Sequence, residues 1–323
     1  MNLRQLRALS EVVKQGLRIS AAAKALHTSQ PGVSRQILEL EDELGVSIFI
    51  RKHNRLLDVT EPGRALIDVA QRILRDIESM RAIANDYSSE DTGRLTIATT
   101  HTHACYTLPR FINQFSKRYP HVQLELREGS PAQCCEMVIG AGADIAITTQ
   151  TSETFENLVT LPAYKLSRCL VTPRSHPLLK VKNLTLHKLA QYPLITYDNS
   201  FSSRRIIDRA FVKEGLTPTI VLSAIDADVS KKYVNLGMGV ALVPAITYDA
   251  KTDKNLRARN VDHLFEHGLV NVCVRKSGYL RKYVYEFIAM FAPHLTPRIV
   301  ARSLSAAEST TGSTPREVPF AES

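Results

Sequence analysis

The stretch ISAAAKALHTSQPGVSRQILELEDELGVSIFIR, residues 19–51, decides the fold of the N-terminal region. Ser20 is a good N-cap for a first helix through the alanine-rich AAAKAL segment, and this helix ends near Thr28. Ser29 can cap a second helix, with Pro31 in its first turn, where the missing N–H costs nothing. Two short helices joined by a tight turn are typical of a protein that enters a DNA groove.

The second helix separates an apolar stripe from a polar face. The stripe, which predicts the buried side, consists of Val33, Ile37, Leu40 and Leu44. Polar groups near the N-terminal end of such a helix can hydrogen-bond base edges or phosphates. The predicted DNA-reading residues are Ser29, Gln30, Pro31, Ser34 and Arg35. The alternative is an ordinary surface helical hairpin.

The flanking segments favour DNA binding. A helix from Leu3 to Gly16 completes a three-helix core, and residues 48–59 form short β-prone runs that predict a hairpin. Arg51, Lys52 and Arg55 make this hairpin basic, which suits a wing on the phosphate backbone. The alternative for this run is a solvated turn.

Thr60 can cap a long helix that begins at Glu61 and continues to about Asp86 or Tyr87. Along it, apolar side chains recur at alternating spacings of three and four, as in the a/d seam of a coiled coil. The predicted dimerisation residues are Leu66, Ala70, Ile73, Ile77, Met80 and Ala84. The stripe could instead pack on its own domain, but we predict pairing with a second copy, which would place two reading heads on one duplex.

From Gly93 the pattern changes to strands that alternate with helices, which indicates an α/β fold with a parallel sheet. We predict a winged helix-turn-helix at 1–59, a linker helix at 60–92 and a two-lobed effector domain at 93–302. Lobe I comprises about 93–161 and 268–302, and lobe II about 162–267. The tail at 303–323 is rich in Ser, Thr, Glu and Pro and is predicted to be disordered.

Several of the predicted strands end in hydroxyl side chains beside a helix start. Thr100 and Thr102 follow the first strand of lobe I, and Thr149 follows another. Ser200, Ser202 and Ser203 lie near the start of a lobe II helix. Ligands bind beyond the carboxyl ends of strands in open α/β sheets, and a helix N-terminus attracts anions. These residues therefore predict a cleft for a small polar or anionic effector. Any one of them could instead be a simple helix cap.

The motifs SQPGVSRQI and TEPG, with the wing and the linker helix, resemble the LysR-type transcriptional regulators, and the resemblance extends to about residue 300. ATTHTHACYTLP, GSPAQ, DADV and FAPHLT are similar to the CysB and Cbl subgroup, which regulates sulfur assimilation. The resemblance implies a periplasmic-binding-protein-like effector domain, promoter DNA as partner and a homodimer or homotetramer. RNA polymerase is a further candidate partner.

The resemblance also implies an effector set: Thr100, Thr102, His103, Thr149 and Ser202. Its candidate ligands are acetylserine, sulfate and an activated sulfate. The chain departs from the subgroup at His103, where Gln is usual, and at Cys105, where Arg is usual. The charge of a histidine responds to pH near neutrality, so the chemistry of the pocket is expected to differ. The alternative is a regulator of an unrelated pathway with another small anion as effector.

Composition narrows the class of protein. The net charge of +9 arises wholly after residue 93, because residues 1–93 carry 13 Lys and Arg and 13 Asp and Glu. DNA binding therefore depends on the placement of basic residues and not on overall basicity. No apolar run approaches the roughly 20 residues of a membrane helix, and the N-terminus lacks the apolar core of a signal peptide. We predict a cytoplasmic protein with five reduced cysteines.

The sequence contains few features of an enzyme or of a metal site. No nucleophile elbow, P-loop or HExxH helix is present, so an enzyme fused to a helix-turn-helix is the weaker alternative. His101, His103 and Cys105 are potential zinc or copper ligands, but a second cluster at conventional spacing is missing. We therefore predict a regulator that is not an enzyme and that has no metal and no cofactor.

Overall fold

The computed structural model describes residues 1–52, 55–87, 92–151 and 153–309. The chain divides into two compact units, Met1–Ser88 and Ser89–Ser323. His53 and Asn54, at the tip of the predicted wing, lie outside the described residues, as does the tail after residue 309.

The first unit is a winged helix-turn-helix followed by a long helix. Its elements are α1 (Leu3–Lys14), α2 (Ile19–Ala25), α3 (Gln30–Leu44), β1 (Phe49–Lys52), β2 (Arg55–Val59) and α4 (Glu61–Tyr87). Ser29 caps α3 as predicted, because its hydroxyl accepts the N–H of Gly32 at 3.2 Å. The predicted cap at Ser20 is wrong: α2 begins one residue earlier, so Arg18 is the N-cap residue and provides no side-chain hydrogen bond.

The core of this unit forms between α1, α2, α3 and the start of α4. Val33, Ile37 and Leu40 are buried as predicted, whereas Leu44 is 37% exposed. The reason is that Glu41, not Leu44, is the buried residue of the last helical turn of α3.

The buried Glu41 carboxylate ties α3 to the wing. Oε1 accepts the backbone N–H groups of Ile48 at 2.7 Å and Phe49 at 3.1 Å, and Oε2 pairs with Nη2 of Arg51 at 2.6 Å. A buried charge is tolerated only where it is paired and hydrogen-bonded, and both conditions are met here. Arg51 therefore has a structural partner in addition to its predicted role at DNA.

The start of α4 is fixed by the predicted Thr60 cap. The Thr60 hydroxyl accepts the N–H of Gly63 at 2.9 Å and donates to the carbonyl oxygen of Ser47 at 2.7 Å. Gly63 is required because a Cβ at this position would clash with the carbonyl oxygen of Ile48. The helix thus packs directly against the residues that precede the wing.

The predicted dimerisation stripe on α4 divides into two halves. Ala70 is buried in the core of the first unit, and Leu66 and Ile73 pack against that core, so an intrachain partner is available after all. Ile77 is half-buried. Met80 is 69% exposed, and Ala84 is also exposed. Only the second half of the stripe is therefore open to a partner within the described unit.

The second unit contains two five-stranded sheets. Its strands are β3 (Gly93–Thr99), β4 (Val122–Glu128), β5 (Ile145–Thr149), β6 (Leu158–Leu166), β7 (Arg168–Pro173), β8 (Leu194–Tyr197), β9 (Ile220–Ala224), β10 (Val240–Pro244), β11 (Leu256–Asn260) and β12 (Gly268–Arg275). Its helices are α5 (Leu108–Arg118), α6 (Pro131–Ile139), α7 (Leu186–Leu189), α8 (Ser202–Lys213), α9 (Ala227–Asn235), α10 (Lys282–Phe291) and α11 (Pro297–Ser309). A π-helical turn, His103–Thr107, precedes α5.

The sheets define two lobes. The lobe I sheet has the order β4-β3-β5-β12-β6, in which β3 is parallel to β4 and β5, and β12 is antiparallel to β5 and β6. The lobe II sheet has the order β11-β7-β10-β8-β9, with β8 parallel to β9 and β10. The predicted α/β fold is confirmed, and β12 lies in the lobe I sheet between β5 and β6.

Two strands and one helix differ from the prediction. β6 and β11, which pair antiparallel with β12 and β7, were not expected from the sequence. The predicted start of the disordered tail at 303 is wrong, because α11 extends to Ser309 and buries Val300 and Leu304 against the lobe I core.

Among the described residues, no helix combines the length and apolar character of a membrane span.

We predict that Glu41→Ala destabilises the first unit by about 3 kcal/mol, because two buried N–H groups and the Arg51 guanidinium lose their partner. Urea unfolding followed by helical circular dichroism measures this loss. The matched control is Glu39→Ala, because Glu39 is half-exposed and pairs only with Arg35 in the described structure. The control should change stability by less than about 0.5 kcal/mol. Equal effects of the two substitutions would contradict the structural role of Glu41.

Candidate functional site

The carboxyl ends of strands from both lobes surround one small cavity. Thr100 follows β3, Thr149 is the last residue of β5, and Tyr197 is the last residue of β8. The lining residues are Thr100, Thr102, His103, Thr149, Leu166, Tyr197, Phe201, Ser203 and Pro244. The cavity has a volume of about 20 Å³, which is room for one water molecule. Four of the five predicted effector residues therefore meet at one place.

Ser202 is the exception. It is buried at the start of α8, but it does not line the cavity, and the neighbouring Ser203 does. The N-cap residue of α8, Phe201, makes no side-chain hydrogen bond to the first turn. The N-terminal N–H groups and the positive end of the α8 dipole therefore adjoin the cavity through Phe201 and Ser203.

His103 lies on the π-helical turn with its ring fully buried. Its Nδ1 is 3.2 Å from the Thr107 hydroxyl and 3.5 Å from the Tyr164 hydroxyl. Its Nε2 is buried and has no hydrogen-bond partner among the described residues. An unpaired buried polar atom is costly, so a group that binds in the cavity and pairs with Nε2 would remove this cost.

Burial lowers the pKa of His103 to about 4, because the charged imidazolium is poorly solvated in this position. The expectation that its charge changes near neutral pH is therefore wrong: the ring is neutral. Both neighbours of Nδ1 are hydroxyls and can donate to it, which assigns the ring proton to Nε2. The cavity is thus lined by neutral hydrogen-bond donors.

A larger, open cavity of about 400 Å³ lies beside this one. Its lining residues are Tyr106, Thr107, Arg110, Tyr164, Ile246 and Phe291. Thr107 and Tyr164 line it and also contact His103, so the two cavities share one hydrogen-bonded group. This cavity could not be predicted from the sequence, because its lining residues come from four separate segments.

The three potential metal ligands that the sequence places together, His101, His103 and Cys105, do not converge. His103 points into the buried cavity, whereas His101 and Cys105 lie on the outer side of the same turn, with Cys105 Sγ 3.5 Å from His101 Nε2. All five cysteines are free thiols, as predicted, and Cys105 is the exposed one.

The predicted DNA-reading residues lie together at the exposed start of α3. Ser29, Gln30, Pro31 and Arg35 are exposed, and Ser34 is half-buried. The Arg35 side chain is 82% exposed and forms an ion pair with Glu39 at 2.7 Å. Lys52 and Arg55 are exposed at the ends of the two wing strands. Contact of these residues with DNA stays a prediction.

Comparison with known families identifies both units. Residues 3–64 match the bacterial regulatory helix-turn-helix proteins of the lysR family, and residues 88–296 match the LysR substrate binding domain. These two regions agree with the first unit and with the two-lobed part of the second.

Individual relatives are similar over nearly the whole chain. The HTH-type transcriptional regulator SsuR of Burkholderia cenocepacia is 46% identical over 301 residues, which is 93% of this chain and 98% of the relative. The HTH-type transcriptional regulator CysB of the same organism is 47% identical over 94% of this chain and 97% of the relative. The crystal structure of the cofactor-binding domain of the Cbl transcriptional regulator is 38% identical, with a TM-score of 0.62, and covers 66% of this chain and 93% of that chain. The chain therefore belongs to the LysR family of DNA-binding transcriptional regulators and is related to SsuR, CysB and Cbl.

Proposed function

We propose that this LysR-type regulator controls genes of sulfur assimilation or of cysteine and sulfonate metabolism by binding a small anionic effector in the cavity around Thr100, Thr102, His103 and Thr149. The unpaired Nε2 of His103 is the observation that carries this proposal. A buried donor that lacks a partner, surrounded by hydroxyls from three strand ends, is what an anion site requires before its ligand is bound.

The lining residues favour an effector without an ammonium group. Among the described residues, those that line the cavity include no carboxylate that could pair with an ammonium. The donors are hydroxyls, the neutral His103 ring and the N-terminus of α8, all of which suit negative oxygen atoms. Sulfate, an activated sulfate and an acetylserine acylated on nitrogen are consistent with this set. A regulator of another pathway with a different small anion is the alternative.

The cavity is too small for any of these effectors in the arrangement described, since it has room for one water molecule. Residues of both lobes line it, so binding requires the lobes to separate or its lining side chains to rearrange. An effector that fits only the opened arrangement shifts the population towards it. Its differential affinity for the two arrangements then supplies the coupling to promoter binding.

For promoter binding, we propose a DNA contact made by five residues at the start of α3: Ser29, Gln30, Pro31, Ser34 and Arg35. Lys52 and Arg55 would contact the phosphates. Arg51 acts there as well only if its pairing with Glu41 leaves donors free. The exposed second half of the α4 stripe, including Met80 and Ala84, forms a homodimer or homotetramer contact. The protein acts in the cytoplasm, without enzymatic activity, and RNA polymerase is a candidate partner.

The effector site is tested with Thr100→Val and Thr149→Val, which remove one hydroxyl each and keep the side-chain shape. Each should weaken effector binding roughly tenfold, the effect of about one lost hydrogen bond to a charged ligand. Calorimetry of the full chain against sulfate and N-acetylserine measures this. Thr148→Val is the matched control, because the Thr148 hydroxyl is buried on the same strand but does not line the cavity. Unchanged affinity in both test variants would contradict the site.

The proposed DNA contact of α3 is tested by gel shift with Arg35→Ala. We expect promoter affinity to fall roughly tenfold or more and discrimination between sequences to relax, because a lost base contact costs about 1–3 kcal/mol. Arg209→Ala removes one exposed positive charge from the second unit and serves as the control. If both substitutions weaken binding equally, Arg35 contributes only to the overall charge.

The neutral state of His103 predicts a pH effect on stability. Its folded-state pKa of about 4 lies below its ordinary value of 6.5, so the unfolded chain takes up the proton first as pH falls. The contribution of neutral His103 to the free energy of unfolding should therefore be fully present above pH 6.5. It should be lost as the pH decreases towards 4, and the loss should be on the order of 3 kcal/mol. His103→Gln should flatten this part of the profile in urea unfolding. An identical slope in the variant and the wild type would contradict the burial of a neutral ring.

A further inference from the structure

We infer that His101, Asp226 and Asp228 form a binding site for Zn²⁺ or a similar divalent transition metal that bridges the two lobes. One ligand atom from each of His101, Asp226 and Asp228 lies within 4.8 Å of the others. Metal binding at this cluster goes beyond the proposed effector function and does not depend on it. It departs from the sequence-based expectation of no metal.

The separations between potential ligand atoms fit a single small ion. Nε2 of His101 is 3.4 Å from Oδ2 of Asp228, and a ligand atom of Asp226 lies within 4.8 Å of the ligand atoms of both residues. Oxygen and nitrogen ligands at bond lengths of 2.0–2.2 Å around tetrahedral zinc are roughly 3.3–3.6 Å apart. Imidazole and carboxylate both bind zinc, so the chemistry agrees with the spacing. Cys105 is not part of the set, because its Sγ is 3.5 Å from Nε2 and 3.9 Å from Nδ1 and therefore lies beside the imidazole ring.

Each ligand is oriented by a second contact, as is usual at metal sites. Nδ1 of His101 is 3.0 Å from Oε2 of Glu128, and donation of its proton to Glu128 leaves Nε2 with a free lone pair. Asp228 Oδ1 accepts the Tyr106 hydroxyl and lies 3.4 Å from Nζ of Lys231, while Oδ2 faces His101. Oδ1 of Asp226 accepts the Val229 N–H at 2.7 Å as the N-cap of α9.

The charges around the cluster favour a cation. Three carboxylates, from Glu128, Asp226 and Asp228, act electrostatically on His101. Lys231 offsets part of this negative charge, but it also pairs with Asp253 at 3.1 Å. A divalent ion would neutralise the remaining charge.

The site would connect the two lobes. His101 follows β3 in lobe I, whereas Asp226 and Asp228 lie at the start of α9 in lobe II. His101 also lies between Thr100 and Thr102, which line the effector cavity. An ion held here would stabilise the closed arrangement of the lobes, which is the arrangement that the effector must change. Metal and effector would then be coupled through the same two states.

The experiment uses tag-free, full-length protein under reducing conditions, with Zn²⁺ or Co²⁺ alone and a chromophoric chelator as competitor. We expect one ion per chain. His101→Gln and Asp228→Asn should each weaken Zn²⁺ binding at least tenfold, and Glu128→Gln should weaken it to a smaller extent. His121→Gln removes an exposed imidazole from the same lobe as a control and should leave the affinity unchanged. Absence of Zn²⁺ binding by the wild type, or equal affinity in wild type, His101→Gln and Asp228→Asn, would overturn the site.

Cys105→Ser is a second control. The exposed thiol lies beside the His101 ring and is not one of the proposed ligands, so its loss should leave Zn²⁺ affinity unchanged. A loss of affinity in Cys105→Ser as large as that in His101→Gln, with Asp228→Asn unchanged, would overturn the carboxylate site. None of these readouts uses the effector, so failure of the metal site and failure of the effector site are distinguishable.

Discussion

The parallel pairing of β3 with β4 and β5 is the constraint on which the candidate sensor depends. Because the three strands run in the same direction, their carboxyl ends lie at one edge of the lobe I sheet. Thr100 and Thr149 are brought together by this geometry alone, although 48 residues lie between them in the sequence. The parallel β8 of lobe II brings Tyr197 to the same cavity. A local pattern of strands followed by hydroxyl residues was therefore enough to predict Thr100, Thr102 and Thr149 as neighbours, but not Leu166, Tyr197, Phe201 or Pro244.

What the sequence could not predict depends on helix phase and on pairing between distant elements. Ser202 and Ser203 are equivalent in a linear pattern, and only the rotation of α8 decides which of them lines the cavity. The burial and pairing of Glu41 could not be predicted, because its partners lie in or beside the wing and come near it only on folding. The charge of His103 was misjudged for a related reason: the ordinary pKa of an imidazole applies in water, and complete burial is a tertiary property.

The α4 helix shows why periodicity alone does not identify a partner. An apolar stripe with a/d spacing can be buried equally well against a second chain or against the core of its own domain. Here the first half of the stripe packs into the core of the first unit. Thr60 and Gly63 also hold the start of α4 against Ser47 and Ile48, which precede the wing strands. The second half exposes Met80 and Ala84. The proposed dimer contact would therefore use the part of α4 that lies farthest in sequence from α3.

His103 and Cys105, the two positions at which the resemblance implies a departure from the CysB and Cbl pattern, face opposite ways. His103 and Cys105 are two residues apart on one helical turn, so their side chains cannot share a face. His103 is directed into the effector cavity, where it is a neutral donor, and Cys105 is directed to His101, four residues before it and on the same face. A change at 103 alters what the effector meets, whereas a change at 105 adds a thiol to a cluster of carboxylates. Since the turn connects the cavity with the lobe-bridging cluster, an ion bound outside and an effector bound inside would act on the same few residues.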